Sequence, residues 1–256
     1  MKKLTLFLLP LFFAQISFAG LNIEPMRVEM TMQPNTQFKG SYEVLNTYEN
    51  DVEVNVEVSA RTNSSYKANA DIPVDSWLQV MPLQFTVKKG EKRLVLYSIL
   101  TNESMQGSIV GQVSFIVKPY GNSGVNVKTS LPVYITIQGT EKINFSVDSL
   151  SIDSVSSKLY IDIKNDSNIN IKPIGVIDIY KDKTKINSIQ LLESSTAFID
   201  TITKGFNVVL PKGLDADTTY RAEVTIDILG YLRRVKSAVK SIEFRVNKDG
   251  SYEALK

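Results

Sequence analysis

The 256-residue chain contains no cysteine and no histidine. Their absence removes the Ser-His-Asp triad, the thiol nucleophile, the histidine or cysteine haem ligand and every Cys/His zinc site. It also removes disulfides, so stability has to come from packing alone. A strong charge of one sign is missing too. The 29 basic residues meet 27 acidic ones, an excess too small for a phosphate-backbone footprint, and no nucleic-acid partner is expected. No stretch keeps a capped 3.6-residue apolar period, so helices should be rare. What remains, with 43% hydrophobic and 22% charged residues, is a globular chain rather than a disordered one.

One long apolar run exists, near the start of the chain. Lys2 and Lys3 precede an apolar stretch over residues 4–13, and Ser17-Phe18-Ala19 stands before Gly20. A basic segment, a short apolar core and a small-x-small site define a secretory signal peptide, here residues 1–19. The run is shorter than the roughly 20 residues of a spanning helix, and Pro10 and Gln15 interrupt it. Export and cleavage after Ala19 are expected, with no membrane span in the mature chain. Both excess lysines leave with the leader, so the mature side chains balance.

The rest reads as strands. Val52, Val54, Val56 and Val58 alternate with Glu53, Asn55, Glu57 and Ser59, the pattern of a half-buried antiparallel strand. Runs over residues 21–30, 42–46, 94–99, 109–117 and 125–137 have the same character, with turn clusters such as Gln33-Pro34-Asn35 and Lys88-Lys89-Gly90-Glu91 between them. A second set covers 143–147, 159–164, 174–180, 188–192, 206–210, 219–228 and 241–246. About seven short strands per set predict an all-β chain of two immunoglobulin-like sandwiches in tandem, residues 20–139 and 140–256.

Catalysis has little to work with, and no enzyme and no cofactor are expected. Ser64-Ser65-Tyr66-Lys67 and Ser237-Ala238-Val239-Lys240 match Ser-x-x-Lys, but that motif needs a helix to stack the amine beneath the hydroxyl. Asp166-x-Asn168-x-Asn170 resembles the opening of a calcium loop, yet Ile171 and Ile177 stand where Gly and a bidentate Glu belong, and no metal site is expected. Asp215 and Asp217 form a carboxylate pair inside a turn. Arg233, Arg234, Lys236 and Lys240 make the densest basic run, read as a solvated hairpin edge.

The most unusual element is the run 125–137. Val125, Val127, Leu131, Val133, Ile135 and Ile137 share one parity over a length well above the usual 5–6 residues. Two readings are open: part of its apolar face extends beyond its own core, or it is a last strand paired on both sides, with residues 121–124 as an ordinary hairpin loop. Pro132 cannot donate to a ladder and favours an edge. An apolar edge is a liability unless it serves strand addition to a partner.

Residues 21–140 resemble the N-terminal domain of periplasmic pilus-assembly chaperones. The resemblance lies in the order and spacing of Leu21-Asn22-Ile23-Glu24-Pro25-Met26-Arg27-Val28, Tyr42-Glu43-Val44-Leu45-Asn46, Trp77-Leu78-Gln79-Val80-Met81-Pro82, Gly90-Glu91 and Gly111-Gln112-Val113-Ser114-Phe115, followed by the alternating run. The second half is similar in size and strand count only. The resemblance implies a two-domain boomerang in the periplasm that caps a pilin-like subunit without ATP. It does so by lending residues of its last N-domain strand, and then delivers the subunit to an outer-membrane usher. It also implies an Arg and a Lys that clamp the subunit's C-terminal carboxylate, as a buried carboxylate requires charged donors. Arg27 falls where the Arg belongs; Pro132 occupies the Lys position, and Lys128, four residues earlier, is the substitute. On this reading Val125 and Val127 fill subunit pockets, while Leu131 and Val133 bind nearer the interdomain cleft. The alternative is a non-chaperone immunoglobulin-like adhesion or scaffold protein built into a surface assembly.

Overall fold

The computed structural model describes residues 20–61, 72–118, 126–192, 196–199, 201–231 and 235–255. The leader 1–19 and Val125 lie outside the described residues. The first nine strands are β1 (Leu21–Glu24), β2 (Val28–Met32), β3 (Gln37–Asn46), β4 (Val52–Ala60), β5 (Leu78–Met81), β6 (Gln84–Val87), β7 (Lys92–Leu100), β8 (Ser108–Lys118) and β9 (Val127–Ile137). They form two sheets, ordered β1-β3-β7-β5 and β2-β9-β8-β4-β6. Eight more follow: β10 (Phe145–Asp153), β11 (Lys158–Asn165), β12 (Pro173–Lys181), β13 (Thr184–Leu191), β14 (Thr201–Val209), β15 (Thr218–Ile228), β16 (Ala238–Val246) and β17 (Tyr252–Ala254). Their sheets are ordered β10-β11-β14 and β13-β12-β15-β16-β17. The chain is all-β, two immunoglobulin-like sandwiches in tandem, and among the described residues the only helical element is a 3-10 turn at Val74–Ser76.

The expected strand over 21–30 is two strands. Pro25 lacks the amide hydrogen that a continued ladder needs, and the chain crosses there from the first sheet, where β1 pairs with β3, to the second, where β2 runs parallel to β9. Arg27 stands at that crossing. The short strands β5 and β6 were not among the expected runs, because four residues either side of Pro82 carry too little period-2 signal.

Each sandwich has its own core. In the first, Trp77, Tyr42 and Phe115 are buried at its centre, Tyr42 meeting Phe115 edge-on with ring centroids 5.6 Å apart. The Tyr97 ring lies over Gly40, where a Cβ would come within 2.4 Å of ring atoms. Burial, with Tyr97 nearby, pushes the Tyr42 hydroxyl well above its ordinary pKa. In the second, Ile161, Ile177, Val224 and Phe244 are buried in one cluster, and the Phe244 ring stacks on Tyr220 with centroids 5.7 Å apart.

The two sandwiches share a device that no sequence repeat announces. Asn46, at the end of β3, donates to Asn50 O at 2.9 Å and Val87 O at 3.0 Å, and its Oδ1 accepts from Tyr48 N at 2.9 Å. Asn165, at the end of β11, donates to Ile169 O and Ala197 O at 2.9 Å each and accepts from Ser167 N at 3.0 Å. In both places one buried amide closes the loop that leaves the strand and ties it to a neighbouring segment.

A compact joint connects the sandwiches. Ser108 N, at the start of β8, donates to Asn168 O at 2.9 Å, and Gly107 N donates to Thr140 Oγ1 at 2.8 Å. Asn168 Nδ2 donates to Thr140 O at 2.9 Å, and Asn168 Oδ1 accepts from Lys142 N at 2.7 Å. Gly107 has φ +65°, and a Cβ there would lie 2.1 Å from Asn168 O. Gly107→Ala combines a left-handed alanine, costing about 1–2 kcal/mol, with a clash against the Asn168 backbone that forces the joint to shift. The expected result is a longer particle in solution scattering and faster proteolysis around residues 139–142, with the β circular dichroism spectrum retained. Unchanged scattering and proteolysis would show that the joint tolerates the methyl.

Candidate functional site

Residues around Arg27 are ordered by the cross-strand rows of the sheet β2-β9-β8-β4-β6. Glu29 is level with Tyr134 in the parallel β2–β9 register, and Tyr134 is opposite Val110 in the antiparallel β8–β9 register. Arg61 follows the Ala60–Gly111 pair and so continues the same row. Arg27, one residue before the Val28–Val133 pair, is level with Pro132, which is opposite Gln112. These side chains share the outer face of the sheet. The second sandwich covers part of that face: Phe198 and Ile199 pack on Val110 and Tyr134, and the Phe198 and Tyr134 rings stack with centroids 6.1 Å apart.

Tyr134 is the pivot of a cationic cluster. The Arg27 guanidinium lies 4.5 Å from its ring centroid, and the Arg61 guanidinium donates to its hydroxyl. A cation over an aromatic face contributes about 0.5–2 kcal/mol, depending on exposure. Arg27 Nη2 also bonds Glu29 Oε2 at 2.7 Å, and the same oxygen receives Lys172 Nζ from the second sandwich at 3.1 Å. Two cations, one from each sandwich, therefore share one carboxylate, and Arg27 keeps 39% of its side-chain surface in water. That combination, a partly exposed guanidinium held by an aromatic ring with a second guanidinium nearby, suits recognition of a carboxylate.

The expected Arg27–Lys128 pair is not assembled. Lys128 lies four residues along β9 from Pro132, about 13 Å at strand spacing, and its ammonium is bonded to Glu57 Oε2 at 2.9 Å. The positions expected to contact a partner divide as well. Val127 is 43% exposed, whereas Leu131 and Val133 are buried in the core of the first sandwich. The reason is geometric: from Leu131 onward the apolar parity faces the opposing sheet, and only the start of the strand reaches past it.

Strand β9 has two halves. Over residues 133–137 it is bonded to β2 on one side and β8 on the other, while over 127–132 the described residues give it β8 alone. The open edge ends where β2 begins, level with Arg27.

Other motif residues are committed elsewhere. Ser237 Oγ donates to Asp227, and Lys240 Nζ donates to the carbonyl oxygen of Asp148, so Ser237 and Lys240 do not form a Ser–Lys dyad. Residues 64–67, Arg233 and Arg234 lie outside the described residues. Asn168 and Asn170 belong to the joint, and no group of metal-ligating side chains forms among the described residues. A hydrogen bond and charge attraction from Lys181 hold Asp215 below its ordinary pKa, while Asp217 pairs with Arg245 at 3.2 Å. Sequence reasoning did not select Glu29, Arg61, Tyr134 or Lys172. Tyr134 carried a readable signal, a large aromatic on the otherwise polar parity of β9; Arg61 and Lys172 carried none.

No protein-family model and no curated protein matches the chain. The chain is structurally similar to solved chaperones of fimbrial and pilus assembly. The class 5 fimbriae chaperone CfaA shares 12% identity at a TM-score of 0.48, the match covering 87% of this chain and 98% of that one. The E. coli chaperone DraB shares 12% at a TM-score of 0.42, covering 88% and 97%. The CsuC–CsuE chaperone–tip subunit complex of Acinetobacter baumannii Csu pili gives 13% and 0.42, covering 87% and 98%. Among the described residues no helix is long and apolar enough to cross a membrane.

Proposed function

We propose that this chain is a periplasmic, ATP-independent chaperone of pilus or fimbrial subunits, exported by residues 1–19 and built from domains 20–139 and 140–256. It caps a subunit at the open edge of β9 and passes it to an outer-membrane usher. The observation that carries the reading is that, among the described residues, residues 127–132 pair on one side only, the open side ending level with Arg27. A guest strand in that lane, running parallel to β9, meets the start of β2 head-on and places its C-terminal carboxylate at Arg27. Main-chain bonds along the edge supply affinity, and alternate side chains supply specificity. Val127, with Val125 before it, contributes the apolar contacts. Arg27 takes the carboxylate, and Arg61 supplies the second positive charge assigned from sequence to Lys128.

A photo-crosslinking residue at position 126, which is exposed beside the open edge, tests this in cells that carry the client. The expected adduct is the C-terminal segment of a small exported subunit. Its yield should fall about tenfold with Arg27→Ala, as befits one charge-assisted contact. Adducts confined to internal or helical segments, or insensitive to Arg27, would overturn the assignment and favour a fixed scaffold role.

A further inference from the structure

We propose that Glu29 is a resident carboxylate occupying the Arg27 site, and that Lys172 of the second sandwich receives it when a ligand carboxylate arrives. The inference rests on the reading of Arg27 as a carboxylate site and names what regulates it. Three observations carry it. Arg27, just before β2, and Glu29, within it, are two residues apart, so the strand places both side chains on its outer face. A single oxygen, Glu29 Oε2, is shared between Arg27 Nη2 at 2.7 Å and Lys172 Nζ at 3.1 Å. All three side chains remain more than a third exposed, so the pairs are weak and exchange readily in water.

The exchange conserves charge pairing. A ligand carboxylate that takes Arg27 leaves Glu29 with Lys172, and no carboxylate is stranded. Without Lys172, Glu29 would have Arg27 as its one cation and would compete for it more strongly. Without the Glu29 charge, Arg27 would be held by Tyr134 alone and open to ligand. The two substitutions should therefore act in opposite directions on one quantity, the preference for a free carboxylate over its amide.

The test measures binding of an eight-residue alternating valine–serine peptide, as free acid and as C-terminal amide, to the full mature chain. Wild type should prefer the acid, and Arg27→Ala should erase the preference. Glu29→Gln should raise the acid-to-amide affinity ratio about three- to five-fold, the scale of one partly exposed ion pair. Lys172→Met should lower it by a similar factor. Thermal unfolding should change little in either variant, because the residues are more than a third exposed. Should wild type bind acid and amide equally, the carboxylate reading fails and takes this proposal with it. An acid preference that depends on Arg27 but is unmoved, or moved in one direction, by both substitutions overturns the resident-carboxylate role alone.

Discussion

Asn165→Ala is expected to cost the second sandwich about 3–6 kcal/mol, a large part of the 5–15 kcal/mol that holds a typical domain together. The side chain is fully buried and serves three main-chain groups: the carbonyls of Ile169 and Ala197 and the amide of Ser167. Each buried group left without a partner costs roughly 1–3 kcal/mol, and the three do not add fully because they share one loop. Asn165→Asp should be no milder. It keeps the acceptor for Ser167 but turns a carboxylate oxygen toward two carbonyls in a site closed to water. Urea unfolding checks both. A loss below about 1 kcal/mol would mean that water replaces the amide. Asn46→Ala should do the same to the first sandwich, since Asn46 makes the equivalent bonds to Asn50 O, Val87 O and Tyr48 N.

Val127→Asp is expected to weaken subunit capture by at least about thirtyfold while shifting stability by no more than about 0.5 kcal/mol. Val127 is substantially exposed at the open end of β9, so a charge there remains hydrated in the free protein. It would be desolvated only when a guest strand covers the edge. Leu131→Asp, four residues on and on the same parity, should instead unfold the first sandwich, because that side chain is buried in its core. The contrast separates a binding defect from a folding defect within one strand. Capture by a soluble, folded Val127→Asp protein at wild-type strength would remove the strand-lending mechanism.

Much of the architecture is legible in the sequence. Strict alternation in β4 and β9, the absence of helical periodicity and the turn clusters define strands and their number to within a few. The errors have local causes. Pro25 divides one apparent run between two sheets, and β5 and β6 are too short to show a period. Parity located the apolar face of β9 but not where the opposing sheet stops covering it, which is why Val127 is exposed and Leu131 and Val133 are not. The candidate site was half legible. Arg27 stood out by its place in a pattern, whereas Arg61 and Lys172 reach it across strand rows and from the other sandwich.

The sequence by itself determined composition-level facts: no histidine or cysteine chemistry, 29 basic residues against 27 acidic ones, and an all-β chain. These follow from residue counts and from periodicities of two, which are local properties. Only the tertiary structure decided that, among the described residues, β9 is paired on two sides for half its length and on one side for the rest. It also decided that Glu29 bridges cations from both sandwiches and that Gly107 closes the joint against Asn168. Register, coverage by a second domain and a shared carboxylate oxygen are contacts between segments tens to more than a hundred residues apart. No local pattern in a chain specifies such contacts; packing does.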